Sequence, residues 1–192
     1  MGYEVKIGLS NKHVHLSQKD LDVLFGEGHE LTPTKALVQP GQFAAEEKID
    51  IVGPKNTIKG VRVLGPVRPE TQVELALTDA RGIGIKAPVR ESGKLDGTPG
   101  CKLVGPCGEV ELAEGVIVAK RHIHMTTADA AAFGVEDKQE VDVKITSNGR
   151  SLIFSDVVVR VKDSFALAMH IDTDESNAGC VAPGTMGEVI LK

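Results

Sequence analysis

The sequence predicts a mainly β protein made of two similar small β-barrel lobes, related by internal duplication and each capped by short helices. Three observations predict it. First, the chain repeats itself. Asn11-Lys12-His13-Val14-His15-Leu16-Ser17-Gln18-Lys19-Asp20, running on to Phe25-Gly26, returns as Lys120-Arg121-His122-Ile123-His124-Met125-Thr126-Thr127-Ala128-Asp129, running on to Phe133-Gly134. Both histidines and the following acid are offset by 109 positions, with one residue deleted before Phe-Gly. Second, most other apolar runs are short and alternating or β-branched. Third, Gly and Pro, 21 and 9 of 192 residues, punctuate those runs as turns do. A single His-x-His arises by chance; a second one with a basic residue before it and Ser/Thr-x-x-Asp after it marks a duplication.

Each copy has one local grammar. A β-type run, residues 5–9 or 116–119, leads into His-x-His. Ser17 or Thr126 then suits a helix N-cap, with Asp20 or Asp129 at the third helical position to complement exposed N–H groups. The helices should be short, about 8 residues, and end at Gly26 or Gly134. Residues 48–54, 59–64 and 71–79 read as strands of the first lobe, with Gly53-Pro54 and Gly65-Pro66 as turns. Residues 140–146, 151–161, 166–172 and 188–191 read as strands of the second. The Gly/Pro-rich stretch 92–115 reads as the connection, giving lobes over 1–91 and 116–192.

Composition narrows the function classes. A net charge of −5 with no run of Lys or Arg argues against nucleic acid as a partner. Five Phe, one Tyr and no Trp leave little for stacking bases. No stretch reaches the roughly 18 apolar residues of a membrane span. Three cysteines do not make a disulfide framework and suit a reducing compartment, and no targeting leader is read, so a cytoplasmic protein is expected.

Five of the six histidines fall in pattern. On a strand, i and i+2 imidazoles share a face about 6.5–7 Å apart, close enough to converge on one cation. Such a site needs a third protein group. Glu74 stands in the apolar run 72–77 and His170 in 166–171, and both runs end in Thr-Asp. The candidate metal sets are therefore His13, His15, Glu74 and His122, His124, His170. His29 reads as a loop residue without a partner. Cys101, Cys107 and Cys180 lack zinc-knuckle spacing and read as small thiols. There is no G-x-S-x-G and no P-loop, and Gly82-Ile83-Gly84 is too little for a dinucleotide fingerprint. Among Arg62, Arg68, Arg81 and Arg90, Arg68 lies six residues before Glu74, where a hairpin would set it beside a metal as a phosphate or carboxylate clamp.

The strings 11–17, 61–74 (Val-Arg-Val-Leu-Gly-Pro-Val-Arg-Pro-Glu-Thr-Gln-Val-Glu), 88–93 (Pro-Val-Arg-Glu-Ser-Gly) and 119–125 together closely resemble the PduL-type phosphotransacylases, or phosphate propanoyltransferases. The resemblance implies interleaved barrel lobes and a dinuclear zinc site between them, two zinc ions per chain. One zinc would take His13, His15 and Glu74, with the coenzyme A sulfur as a fourth ligand; the other would take His122, His124 and His170, with open positions for water or phosphate. Arg68 matches the family arginine and is the expected catalytic residue. The implied reaction is reversible: acyl-CoA plus phosphate gives acyl phosphate plus coenzyme A, with acetyl or propanoyl as the acyl group. No protein nucleophile is required, though a covalent route stays open, as do acyl preference, coenzyme A contacts and any homo-oligomer. Family members packed in microcompartments commonly carry an N-terminal extension; only 12 residues precede His13, so a free cytoplasmic enzyme is expected. Two competing readings fit less well. A zinc hydrolase of thioesters or amides wants H-x-H-x-D-H, and the Asp and His are absent after His15. A cupin-like binding module wants Glu four residues beyond the second histidine, where Lys19 and Ala128 stand.

Overall fold

The computed structural model describes residues 3–192. The first stretch of elements is β1 (Tyr3–Leu9), β2 (His13–His15), α1 (Gln18–Phe25), β3 (Pro33–Ala36), β4 (Phe43–Val52), β5 (Thr57–Gly65), β6 (Gln72–Glu74) and α2 (Leu77–Ile83). Then come β7 (Val89–Arg90), β8 (Cys101–Val104), β9 (Glu109–Leu112), β10 (Val116–Ala119), β11 (His122–Met125) and α3 (Thr127–Phe133). The chain closes with β12 (Glu140–Ile145), β13 (Leu152–Val161), β14 (Ala168–Ile171), α4 (Thr173–Gly179) and β15 (Met186–Ile190). The protein is mainly β with short helices, as the turn-punctuated sequence predicts. No helix among the described residues is long and apolar enough to cross a membrane.

The chain forms two compact units. One, the His13 unit, comprises Asn11–Leu37 and Gly41–Ala119. The other, the His122 unit, comprises the chain through Ser10, the short insertion Val38–Pro40, and Lys120–Lys192. Residues 92–115 carry the β8–β9 hairpin, paired from Cys101↔Leu112 to Val104↔Glu109, within the His13 unit.

In the His122 unit six strands close a barrel in the order β1-β14-β11-β13-β12-β15. The His13 unit repeats most of that order as β10-β6-β2-β5-β4, with the same parallel and antiparallel relations at each step. Its sheet stays open. In the barrel, β15 pairs with both β12 and β1, whereas β8 pairs with β4 and gives its other edge to β9. The strand that leads into His13 (β1) thus builds the wall beside His170, and the strand that leads into His122 (β10) pairs with β6, which bears Glu74.

Period-two alternation explains how each wall faces its core. The middle residues of the two His-x-His strands, Val14 and Ile123, are fully buried in separate apolar cores, so the flanking imidazoles leave on the opposite face. Val14 packs with Leu24, Ile51, Val63 and Val116; Ile123 packs with Val5, Val143, Val159 and Met169. Burying each such side chain stabilises by roughly 1.5–3 kcal/mol, which anchors the motif strands firmly.

The predicted helices form as expected over α1 and α3. The Ser17 and Thr126 side chains accept from the N–H groups of Asp20 and Asp129, and Gly26 and Gly134 end the helices at positive φ. Two further helices correct the reading. Residues 71–79 are not one strand: after Glu74 the chain caps at Ala76 and turns into α2, with Ala80 and Ile83 buried at helical spacing. A helix of one to two turns is too short for its period to stand out from the alternation of Val73, Leu75 and Leu77. After β14, Asp172 and Glu175 form a capping box that starts α4.

Candidate active site

Cross-strand register assembles the first histidine set. β2 and β6 run antiparallel, placing His13 opposite Glu74 and His15 opposite Gln72. Directly opposed residues share a face, so both imidazoles and the carboxylate converge. Their ligand atoms lie within 4.8 Å of one another, and all three residues are buried. His13 donates from Nδ1 to the Asn11 carbonyl at 2.7 Å, which leaves Nε2 facing Glu74 Oε2 at 3.4 Å. The Leu64 carbonyl partners His15, and His15 Nδ1 is buried with no hydrogen-bond partner.

The electrostatics suit a cation. Burial, with His13 and Arg68 nearby, pushes His15 down to about 3, so it is neutral and keeps a lone pair at neutral pH. Burial opposes ionisation of Glu74, but the two histidines and Arg68 outweigh it and hold its carboxyl well below the usual carboxylate range. Burial likewise opposes charge on His13, and the adjoining Glu74 carboxylate more than offsets it, raising the imidazole. One buried carboxylate, two imidazoles and an orphaned ring nitrogen make a donor set that fits a borderline dication such as zinc.

Behind Glu74 lies a polar layer that sequence reasoning missed. Gln72, 1% exposed, donates to Glu74 Oε1 and, at 2.9 Å, to Ser92 Oγ. The Ser92 hydroxyl donates to Glu74 Oε1 at 3.1 Å, and the Gly93 N–H fixes the Gln72 carbonyl at 2.7 Å. Arg68 donates to Ser92 Oγ at 3.2 Å. The single hydroxyl therefore spends its one donor on the carboxylate and its acceptor capacity on Gln72 and Arg68. Gln72 had a readable signal, since it lies two residues from Glu74 on the same face of the strand.

Arg68 reaches this layer because the chain doubles back after β5. Gly65 pairs opposite Phe43, and a Cβ there would lie 2.1 Å from the Phe43 ring, so only glycine ends the strand beneath it. The following loop returns to β2, where the Arg68 N–H donates to the Leu16 carbonyl at 2.9 Å. Arg62 and Arg90 are turned to the backbone carbonyls of Ala45 and Val89 instead.

The second set repeats the register. β11 and β14 place His122 opposite His170 and His124 opposite Ala168. The three imidazoles gather with ring centroids 4.6 Å (His122–His124), 5.0 Å (His124–His170) and 5.3 Å (His122–His170) apart. His122 donates from Nδ1 to the Lys120 carbonyl at 2.8 Å, just as His13 does to Asn11. His124 repeats His15: its Nδ1 is buried without a partner, and burial, helped by His122, His170 and Arg160, holds the ring well below the usual histidine value. Gln39, 4% exposed and unanticipated, clasps the Ala166 backbone from both amide atoms at 3.0 and 3.1 Å, and its nitrogen lies 3.4 Å from His170 Nε2.

The basic residue before each motif has the same job in both copies. Lys12 pairs with Asp79 of α2 at 2.9 Å, and Arg121 with Glu175 of α4 at 2.7 Å, tying each motif strand to the helix that follows its third residue. His29 is not partnerless: its Nε2 lies 2.9 Å from Glu47, a buried carboxylate on β4. All three cysteines are free thiols, and burial pushes Cys101 up to about 12.

Comparison with known proteins gives the family. The family model for phosphate propanoyltransferase matches residues 6–182. A phosphate propanoyltransferase of Thermotoga maritima is 55% identical over 184 residues, covering 96% of this chain and 88% of its own. One from Clostridioides difficile is 53% identical over 188 residues, covering 98% and 90%. One from Salmonella typhimurium is 52% identical over 174 residues, covering 91% and 82%. With the match spanning nearly the whole chain, the protein belongs to the phosphate propanoyltransferase family and is an acyltransferase.

Proposed function

We propose that the protein transfers a short acyl group, acetyl or propanoyl, reversibly between coenzyme A and inorganic phosphate, using two zinc ions. His13, His15 and Glu74 would hold one ion, and His122, His124 and His170 the other. The observation that carries the metal assignment is the repeated donor pattern. Each copy directs one Nδ1–H to a backbone carbonyl and leaves the next histidine's buried Nδ1 without a partner. A buried imidazole nitrogen with nothing to bond costs free energy that a coordinated cation would recover. When bound, zinc supplies Lewis acidity to the leaving thiolate and to the oxygens of the reacting phosphate.

In the transfer a phosphate oxygen attacks the thioester carbonyl carbon. The C–O bond forms, the C–S bond breaks, and the thiolate leaves with the electron pair. The free thiol ionises near pH 8.5, so a stabilised thiolate is the main requirement at neutral pH. Glu74 makes the first set one charge more negative than the all-imidazole second set, so the second set is the better seat for phosphate. Arg68, oriented by Ser92, offers its guanidinium to the charge that builds on phosphate or on the tetrahedral oxyanion. The neutral state of His15 keeps a donor lone pair available without competing protonation.

The test is thiol release from acetyl- and propanoyl-CoA with phosphate varied. Release that requires phosphate and falls when chelator strips the metal supports the reading. Release at full rate without phosphate would make the protein a thioester hydrolase instead.

A further inference from the structure

We propose that Arg160 is an anion-holding residue of the second histidine set, gripping the phosphoryl group of phosphate and of acyl phosphate. The proposal deepens the phosphate acyl-transfer reading and rests on it.

The register puts Arg160 on the imidazole face. β11 and β13 run parallel, with His122 opposite Val158 and His124 opposite Arg160. Opposed residues in a strand pair project to the same side, so the Arg160 side chain leaves the sheet where His122 and His124 do. Its guanidinium carbon lies 6.0 Å above the Phe165 ring, and that ring in turn packs against His124 at 4.2 Å between centroids. An aromatic face holds a guanidinium through its π surface and leaves the in-plane N–H fork unspent.

The charge on this face is uncompensated. Among the described residues no carboxylate pairs with Arg160, whereas Arg121, two strands' worth of chain away in the same unit, is paired with Glu175. The first set has Glu74 to balance nearby cations; the second has three imidazoles and no acid. A half-buried guanidinium on a face of imidazoles with no paired carboxylate suits an anion from outside the chain, and a tetrahedral oxyanion matches a planar donor fork.

Arg160 is not inherited from the repeat. Val63 opposite Val14 and Val159 opposite Ile123 make Leu64 the counterpart of Arg160. The His13 unit draws its guanidinium from Arg68, four residues further on, past the Gly65–Pro66 turn. Each unit therefore supplies one arginine to its histidine set from a different position, which is why no repeated motif announces the second.

Arg160→Gln removes the fork and Arg160→Lys keeps a point charge. In zinc-loaded enzyme, Arg160→Gln should raise the KM for phosphate, and for acyl phosphate in the reverse direction, by about 10- to 100-fold, with the KM for acyl-CoA unchanged. Lys should recover only part of the loss. Calorimetric titration of inorganic phosphate into the metal-loaded proteins should show the same weakening without turnover, and elemental analysis should show unchanged zinc. Wild-type phosphate affinity in Arg160→Gln overturns the proposal. So does loss of zinc or of folding in both variants, which would assign Arg160 to the scaffold under Phe165. If wild-type protein binds phosphate through Arg160 but shows no phosphate-dependent thiol release, the reaction assigned above fails while the binding role stands.

Discussion

The two histidine-bearing strands are copies, yet almost everything behind them differs. β2 and β11 share the apolar middle residue, the carbonyl-bound first imidazole and, on the second imidazole, a buried Nδ1 without a hydrogen-bond partner. Opposite the first histidine, however, one unit places a carboxylate and the other an imidazole. Glu74 is backed by Gln72, Ser92 and Gly93, all from its own unit's strand and the loop after β7. His170 is backed by Gln39, carried on the three-residue insertion 38–40 between β3 and β4. One sheet closes into a barrel and the other stays open. Duplication therefore preserved what is local in the chain, and the supporting layers were found separately. The charge of the third residue is the sharpest chemical difference between two similar frames.

The largest effects should come from the shared element. His13→Ala and His122→Ala each remove a proposed metal ligand, so each should cost more than the roughly 10- to 100-fold typical of losing an outer partner. Zinc should fall from about two equivalents to about one in either variant, by elemental analysis, because each set stands on its own strands. If one variant kept wild-type activity, only one of the copies would take part in catalysis.

Arg68→Ala comes next. Removing one charge-assisted contact to a developing oxyanion costs roughly 2.7–4 kcal/mol, or about 100- to 1000-fold in kcat. Zinc content should be intact and Lys should rescue only in part. Wild-type phosphate KM and kcat would reduce Arg68 to a partner of Ser92.

The supporting layers should give smaller and unit-specific losses. Ser92→Ala takes a hydrogen bond from Glu74 and one from Arg68 together. It should weaken metal at the first set by about 10- to 100-fold in chelator competition and leave the second set alone. Gln39→Ala should do the reverse. Equal weakening of both sets by either variant would show that the two are not separately supported.

What could be read from the chain follows the same division. The His-x-His strands, the Ser17 and Thr126 caps and the Gly26 and Gly134 stops are local, and they stand where the sequence puts them. Glu74 and His170 could be picked out as polar residues in apolar runs. Their register against His13 and His122 could not, because strand pairing is set by tertiary contacts. The exchange of β1 and β10 between the units could not be read from residue patterns and was expected only as the interleaving the family resemblance implies, since each strand precedes a motif in sequence and serves the other's unit in space. Helix α4 was within reach through Asp172-x-x-Glu175; α2 was not, because Ala76 offers no capping side chain. Glu47 also carried a usable signal: it alternates with Ala45, Ile49 and Ile51 on the buried face of β4.

That carboxylate separates the units once more, in how each holds the chain after its capped helix. Past α1, the loop is anchored by Glu47, which accepts from the Thr32 N–H at 3.1 Å and from His29 Nε2 at 2.9 Å. Past α3, the anchor is the Asp137 carboxylate, which accepts the Val161 N–H at 2.8 Å in an exposed setting. Burial opposes ionisation of Glu47, but the hydrogen bonds from His29 and Thr32 outweigh it and hold its carboxyl below the ordinary 4.5. A depressed folded-state value means the stabilisation is present above the unfolded value and is lost as pH falls through the folded one. Glu47→Gln removes hydrogen bonds to a charged acceptor, so it should cost about 1.5–3 kcal/mol at neutral pH in denaturant melts. The gap between wild type and Glu47→Gln should hold level from neutral pH to about 5 and close at more acidic pH. Hydrogen exchange should localise the loosening to residues 29–32 and leave 135–139 protected as in wild type. A gap that persists unchanged well below pH 4 would mean that shape rather than charge anchors this loop, and the two units would then be held alike.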